Sequence, residues 1–420
     1  MIYFNFKNTY FFWVFISVFG FISCTDKSTK KSDPKNTKII QNLTHDSLSL
    51  DEHNKDLIIS YPANYLHLIK DKVLGVAGNQ TSVVKNKNND FTHLIDTLIS
   101  LKMNVKKVFS PEHGFRGKAD AGEMIDDGKD LKTGLPLLSL HGKNKKPTPT
   151  QLEDLDVLIF DIQDVGVRFY TYISTLHNIM EACAEANIKL IVIDRPNPNA
   201  HYIDGPTMET EHQSFLGMHN VPLVYGMTIG EYAKMINGEK WLEDGLQCDL
   251  KVMPMKNYQY DNNYSLPIKP SPNLPNDKSI NLYPSLGLFE GTSINAGRGT
   301  KMQFQIFGAP YLDKKIYPFS YTPQENVGAK YPKQKGKLCN GIDLRTNKKL
   351  NKIKLDWLID AYKNTPKGKE FFQATFTSHA GTKKLRQQIE SGMNADEIRA
   401  TWQADIELFK KIRSKYLIYE

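Results

Sequence analysis

The sequence has little cysteine and lacks the motifs that gather metals or dinucleotides. Its four cysteines, Cys24, Cys183, Cys248 and Cys339, are far apart and none forms a CxxC pair. Neither a zinc site nor a disulfide framework is implied. There is no HExxH and no paired-histidine spacing, so no resident metal is expected. No G-x-G-x-x-G follows the first apolar run, so no dinucleotide cofactor is expected either. The net charge of +8 is a mild excess that suits a polyanionic environment, but the basic residues are scattered and leave no nucleic-acid footprint. The apolar run near the N-terminus is about 13 residues long, too short to span a bilayer by itself.

That run, Phe11 to Ser23, follows Lys7 and ends at Cys24. Its length fits a signal-peptide core, and Ser23 supplies the small residue before a cut. Residues 1–24 are therefore expected to be a lipoprotein signal, with Cys24 as the lipidated first residue. Residues 25–56 are polar and aperiodic, and read as a tether. The expected address is the cell envelope: a lipid-anchored protein on the periplasmic side or at the outer membrane of a Gram-negative bacterium.

With 420 residues and 40% apolar composition, the remainder can bury a large core. Val73–Ala77, Val105–Phe109, Val157–Asp161 and Leu190–Asp194 are apolar runs of the kind that fully buried parallel strands show. Helical spacing follows at 92–98 and, with Leu176, Ile179, Met180 and Cys183 on one stripe, at 172–186. Strand, helix and strand in series predict an α/β fold, a Rossmann-like parallel sheet with helices on both faces. Thr228 and Glu231 form a capping box that opens another helix, and Leu250–Met255 reads as a further strand. Near residue 265 the character changes, so 57–265 is expected to be the Rossmann-like domain and 266–420 an α+β auxiliary domain. The spacing of Ile398, Trp402, Ile406, Phe409 and Ile412 predicts one amphipathic helix at the C-terminal end.

Four clusters of ionisable and amide residues stand where chemistry is placed in such folds, just beyond strands. The first is S-P-E-H-G-F-R-G-K-A-D-A-G-E (110–123), which holds Glu112, His113, Arg116, Asp120 and Glu123. The second, D-I-Q-D-V-G-V-R-F-Y-T-Y (161–172), holds Asp161, Gln163, Asp164, Arg168, Tyr170 and Tyr172. The third is D-R-P-N-P-N (194–199), with Asp194, Arg195 and Asn197. The fourth joins S-P-N-L-P (271–275), Y-P-S-L-G-L-F-E-G-T (283–292) and N-A-G-R-G-T (295–300), with Asn273, Glu290 and Arg298. Two carboxylates in unlike surroundings can divide the acid and base roles. Arginine forks such as Arg116, Arg168, Arg195 and Arg298 suit a substrate carboxylate. The aromatics Phe169, Tyr170 and Tyr172 suit a sugar wall, and the asparagines suit hydroxyl and amide groups. The combination fits a carbohydrate bearing an acid. A metal reading also exists, in which Glu112, His113, Asp161 and Asp194 would form an oxygen-rich site with one imidazole.

These motifs, with the F-G-A-P at 307–310, resemble the family once known only as domain of unknown function 1343, represented by exo-β-N-acetylmuramidases of the NamZ type. The resemblance runs from about Leu57 to the C-terminal Y-L-I-Y. It implies a Rossmann-like domain and an auxiliary domain with a cleft between them. It further implies removal of terminal N-acetylmuramic acid from the non-reducing end of peptidoglycan fragments, in cell-wall turnover and recycling. By resemblance Glu112 is the leading catalytic carboxylate, and Glu123 or Glu290 its partner. The expected substrate contacts are His113, Arg116, Asp161, Gln163, Asp164, Arg168, Tyr170, Asp194, Arg195, Asn197, Asn273 and Arg298. A carboxyl separation of about 5 Å would mean a retaining route and about 6.5–9.5 Å an inverting one. The sugar's 2-acetamido group is a third possibility as internal nucleophile. Gln80 stands where the family tends to show histidine or a similar polar residue, and Asn295-Ala296 precedes Gly297-Arg298-Gly299. Two other readings remain open: a muropeptide-binding lipoprotein without catalysis, and a metal-dependent hydrolase.

Overall fold

The computed structural model describes residues 57, 59, 61–86, 90–112, 114–116, 127–261 and 263–420. Cys24, the tether, His113, Asp120 and Glu123 lie outside them.

In chain order the strands are β1 (Val73–Gly78), β2 (Val83–Lys85), β3 (Phe91–His93), β4 (Asn104–Ser110), β5 (Gly128–Lys129), β6 (Pro136–Ser139), β7 (Val157–Asp161), β8 (Lys189–Ile193), β9 (Asp204–Thr207), β10 (Pro222–Val224), β11 (Leu250–Met253), β12 (Ile306–Ala309), β13 (Phe319–Tyr321) and β14 (Cys339–Asp343). Seven of them form the central sheet, in the order β11-β8-β7-β1-β4-β6-β5. The pairings are parallel except that β5 runs antiparallel to β6, so the sheet is mixed at that edge.

Successive side chains of a strand point to opposite faces, and the core divides accordingly. Leu74, Val76, Val108, Ile159 and Ile191 pack with the helix Leu94–Ser100 on one face. Ala77, Phe109, Leu158, Phe160, Leu190 and Val192 pack with the helices Tyr172–Glu185 and Ile229–Gly238 on the other. Helices therefore cover both faces, and this explains why β7 is apolar throughout. The second cluster continues unbroken into the C-terminal half, through Phe289, Phe307, Leu358 and Phe376 to Phe409.

The capping box at Thr228 forms in both directions: Thr228 Oγ1 accepts from Glu231 N at 3.3 Å, and Glu231 Oε2 from Thr228 N at 2.9 Å. The C-terminal half holds a three-stranded antiparallel sheet, β12-β14-β13, with helices around it. One expectation fails there. The single helix expected over 398–412 is broken in two, Ala395–Ala400 and Gln403–Arg413. Trp402 leaves helical geometry between them, and its indole N–H donates to Oδ1 of the buried Asp204 at 3.1 Å. The apolar stripe is still buried, because the break keeps Ile398, Trp402, Ile406 and Phe409 facing the core.

Candidate active site

Parallel strands bring their carboxyl ends to one edge of the sheet, and ligands collect where the strand order reverses. Here the chain goes from β1 to β4 on one side and returns to β7 on the other. The loop after β4 carries Glu112. The loop after β7 carries Phe169, Tyr170 and Thr171 into the helix Tyr172–Glu185. From the C-terminal half come Ser271, Asn273, Leu274, Tyr283, Glu290, Arg298, Phe304 and His379. With Tyr172 and Leu216, all of these line one cleft.

Glu112 is half-buried and held from the N-terminal half. Its Oε2 accepts from Thr171 Oγ1 at 3.1 Å, and its carbonyl accepts from the Tyr172 hydroxyl at 3.4 Å. Asn79, at the end of β1, donates to that same hydroxyl at 2.9 Å. Burial, and then the Glu112 carboxylate, keep the Tyr172 phenol protonated far above the usual range.

Glu290 sits on the short 3₁₀ turn Gly287–Gly291. Its Oε1 accepts from Arg298 Nη1 at 2.8 Å, and Arg298 Nη2 donates to the Gly328 carbonyl at 3.1 Å. Lys333 holds the turn from below: its ammonium donates to the carbonyls of Phe289 (3.2 Å), Glu290 (2.7 Å) and Thr292. Burial lowers the Lys333 ammonium to about 8, against the pull of Glu290. Tyr283 lies in the field of both acids. Burial, then Glu290 and Glu112, raise its phenol well above the ordinary value. Its ring meets Phe169 and Phe304 edge-on, at 5.2 and 4.7 Å between centroids. The expected aromatic wall of Phe169, Tyr170 and Tyr172 is thus joined by Tyr283 and Phe304.

Of the residues expected at the site, Glu112, Tyr170, Asn273, Glu290 and Arg298 line the cleft. Asn273 Nδ2 donates to the Gly328 carbonyl at 2.6 Å, and the Tyr170 hydroxyl to the Pro270 carbonyl at 2.7 Å. The other described candidates do not line it, for stated reasons. Arg116 is forked onto Asp130, at 3.1 and 2.8 Å. Asp161 and Arg195 form a buried two-point ion pair at 2.6 and 3.0 Å. Gln163 Nε2 donates to the carbonyls of Asp164 and Pro196. Asp164 is wholly buried and accepts from Gly166 N and the Tyr225 hydroxyl. Asp194 accepts from Thr228 Oγ1, Gly230 N and the Tyr419 hydroxyl, at 2.8, 2.8 and 2.5 Å. Asn197 binds the Met227 carbonyl and Asn199 N.

Arg168 departs furthest from expectation. Its guanidinium is buried and donates to four carbonyls: Pro206, Val221, Ala380 and His379. Burial lowers it to about 9. Gly381, left-handed at φ 78°, makes room for it: a Cβ there would lie 2.4 Å from Nη2. Of the metal grouping, His113 lies outside the described residues, and Asp161 and Asp194 are each engaged by protein partners.

Models of two families match almost the whole described chain. The N-terminal domain of exo-β-N-acetylmuramidase NamZ matches residues 74–278, and its C-terminal domain matches 281–419. The chain belongs to the NamZ family. It is 37% identical over 382 residues to the peptidoglycan β-N-acetylmuramidase NamZ of Bacillus subtilis strain 168, covering 85% of this chain and 89% of that one. Two solved DUF1343 proteins from Bacteroides fragilis NCTC 9343 share the fold. One is 44% identical with a TM-score of 0.79 and the other 27% with 0.73; each covers 87% of this chain and 99% of its own.

Within this NamZ frame, Thr171, Tyr283, Phe304, Lys333 and His379 are among the residues sequence reasoning did not single out for a role. Thr171 and Tyr283 lie inside the quoted motifs. Lys333 lies in a basic stretch that reads as solvated surface. His379 belongs to no motif, and only the helix-ending Gly381 marks its neighbourhood.

Proposed function

We propose that this protein is an exo-acting β-N-acetylmuramidase, a glycosidase that releases terminal N-acetylmuramic acid from the non-reducing end of peptidoglycan fragments. The supporting observation is the shared cleft: Glu112 from the N-terminal NamZ match and Glu290 from the C-terminal match line the same space. Most glycosidases use two carboxyl groups flanking the scissile bond, one to protonate the leaving oxygen and one to act as nucleophile or base. Glu112 is the proposed proton donor and Glu290, gripped by Arg298, the second carboxylate. The aromatic wall receives the sugar ring. The name of the Bacillus subtilis relative agrees with this reading.

The test is turnover of a chromogenic β-N-acetylmuramide beside the matching N-acetylglucosaminide, using protein that lacks residues 1–24. Release from the muramide alone is expected, and Glu112→Gln should lower it by several orders of magnitude. Binding of muramic acid without any turnover would replace the hydrolase with a glycan-binding protein.

We further propose that the protein is anchored through a lipid on Cys24 and held at the envelope by the polar segment 25–56. The apolar run before Cys24 supports this. No helix among the described residues is long and apolar enough to cross a membrane. Fatty-acid labelling that is lost in Cys24→Ser tests it. The division into a sheet domain (57–265) and an auxiliary domain (266–420) is proposed on the same footing, and domain-wise expression tests it.

A further inference from the structure

N-acetylmuramic acid differs from N-acetylglucosamine by a lactyl ether ending in a carboxylate, so a muramidase needs a group that reads an acid. This inference rests on the muramidase reading. Each of the arginines expected for that task already holds protein acceptors through its terminal nitrogens or Nε among the described residues, although Nε of Arg168 and of Arg298 has no partner there. Arg116 is on Asp130, Arg195 on Asp161, Arg168 on four carbonyls, and Arg298 on Glu290 and Gly328. Among the described residues lining the cleft, Arg298 and His379 are the basic side chains.

His379 is presented by a fixed frame. Its Nδ1 lies 2.8 Å from the Thr375 carbonyl. A carbonyl only accepts, so Nδ1 carries the proton and the Nε2 edge is left for a ligand. The imidazole packs against Phe169, with centroids 5.7 Å apart. Arg168 Nη2 holds the carbonyls of His379 and Ala380 at 3.3 and 2.6 Å. The helix Phe376–Ala380 lies directly on the turn that bears Glu290; a Cβ on Gly291 would sit 2.4 Å from Phe376 Cα.

We propose that His379 is the specificity residue that receives the lactyl carboxylate of muramic acid through Nε2. The neutral imidazole offers a lone pair at Nε2, which repels a carboxylate. The imidazolium offers a charged donor. Recognition of the acid therefore belongs to the protonated form and is lost with that proton. The charged and titratable groups around it are Glu112, Glu290 and Arg298 in the cleft, the phenols of Tyr170, Tyr172 and Tyr283, and Arg168 beneath its carbonyl. Lys384 on the following helix is engaged by Glu209 at 2.7 Å.

The test compares a chromogenic β-N-acetylmuramide with its lactyl methyl ester, as a ratio of kcat/KM, from about pH 5 to 8.5. The wild type is expected to favour the acid roughly ten- to hundredfold at low pH, the span of a hydrogen bond to a charged group, with the preference falling as pH rises. His379→Gln should bring the ratio near one at every pH. His379→Lys should keep the preference and extend it to higher pH, a rescue that a merely structural role would not give. If turnover by a variant is too slow to read, calorimetric binding of N-acetylmuramic acid and its methyl ester gives the same ratio. A folded His379→Gln that keeps the acid preference and its pH dependence would overturn the proposal, as would a wild type that cleaves acid and ester alike. A wild type that cleaves neither would instead remove the muramidase reading.

Discussion

Arg298 holds Glu290 with one arm of its guanidinium and the Gly328 carbonyl with the other, at 2.8 and 3.1 Å. Both arms are engaged by the protein, so this arginine positions a carboxylate. Lysine keeps the charge but lacks the planar fork, and cannot serve both acceptors in the same geometry. Arg298→Lys is expected to lower kcat about 10- to 100-fold, for a loss of about 1.5–3 kcal/mol, with KM little changed. Steady-state kinetics decides. A normal kcat with a raised KM would show that Arg298 binds substrate directly.

Thr171 is the corresponding support for Glu112. Its hydroxyl is the donor to Oε2, at 3.1 Å. Thr171→Val keeps the branched shape and removes the donor. With one bond to a charged group lost, about 1.5–3 kcal/mol of positioning is lost, and kcat should fall about tenfold or more while thermal stability stays close to that of the parent. Glu112→Gln and the double variant should be equally slow, because the threonine acts only through the acid.

The sheet was legible because buried parallel strands are continuous apolar runs, and 157–161 or 189–193 admit no other reading. The strand-end clusters were legible as chemistry-bearing segments for the same topological reason. Side-chain partnership was not. Arg195 and Asp161 lie 34 positions apart in the chain, yet they stand at the carboxyl ends of the adjacent strands β8 and β7. That pairing turns two expected substrate contacts into one internal ion pair. The break at Trp402 was hidden too, because the apolar spacing is the same for one helix or two. What separates them is the bond from the indole to Asp204, which lies on β9, far off in sequence.

Arg168 illustrates how a charged residue in a strand-end cluster can be spent on internal architecture. It has no acidic partner among the described residues; its four carbonyl acceptors tie β9 and the loop before β10 to the helix Phe376–Ala380. Arg168→Met would remove that donor from all four carbonyls, of which Val221 keeps Met208 N at 3.1 Å; a buried carbonyl left without a donor costs about 1–3 kcal/mol. A loss of roughly 3–5 kcal/mol is expected, read as a lower denaturant midpoint. Any change in KM should come only together with that loss of stability, because Arg168 holds His379 by its carbonyl. A raised KM with unchanged stability would return Arg168 to the substrate.

Asp164 gives the molecule a stability that depends on pH. It is buried, and burial is the largest influence on it, lifting its carboxyl from 3.8 to about 6 against the opposing pull of the Tyr225 hydroxyl and the backbone N–H groups of Gly166 and Val165. In the unfolded chain it titrates near 3.9. The folded state therefore binds more protons than the unfolded state between these values. The contribution is fully present below about pH 4 and is lost as pH rises through about 6. Asp194, raised by burial to about 7, adds a loss of the same sign in an overlapping window. The readout is thus the difference between the parent and Asp164→Asn, not the slope of either alone. Asparagine keeps an acceptor for Tyr225 and Gly166 and stays neutral throughout. Its amide nitrogen replaces Oδ1, which has no partner among the described residues, so it adds only an offset that does not vary with pH. Denaturant midpoints measured from about pH 4 to 8 should show the parent losing on the order of 1–3 kcal/mol more than the variant. A gap between the two that stays constant with pH would mean that Asp164 carries the same charge in the folded and unfolded chain.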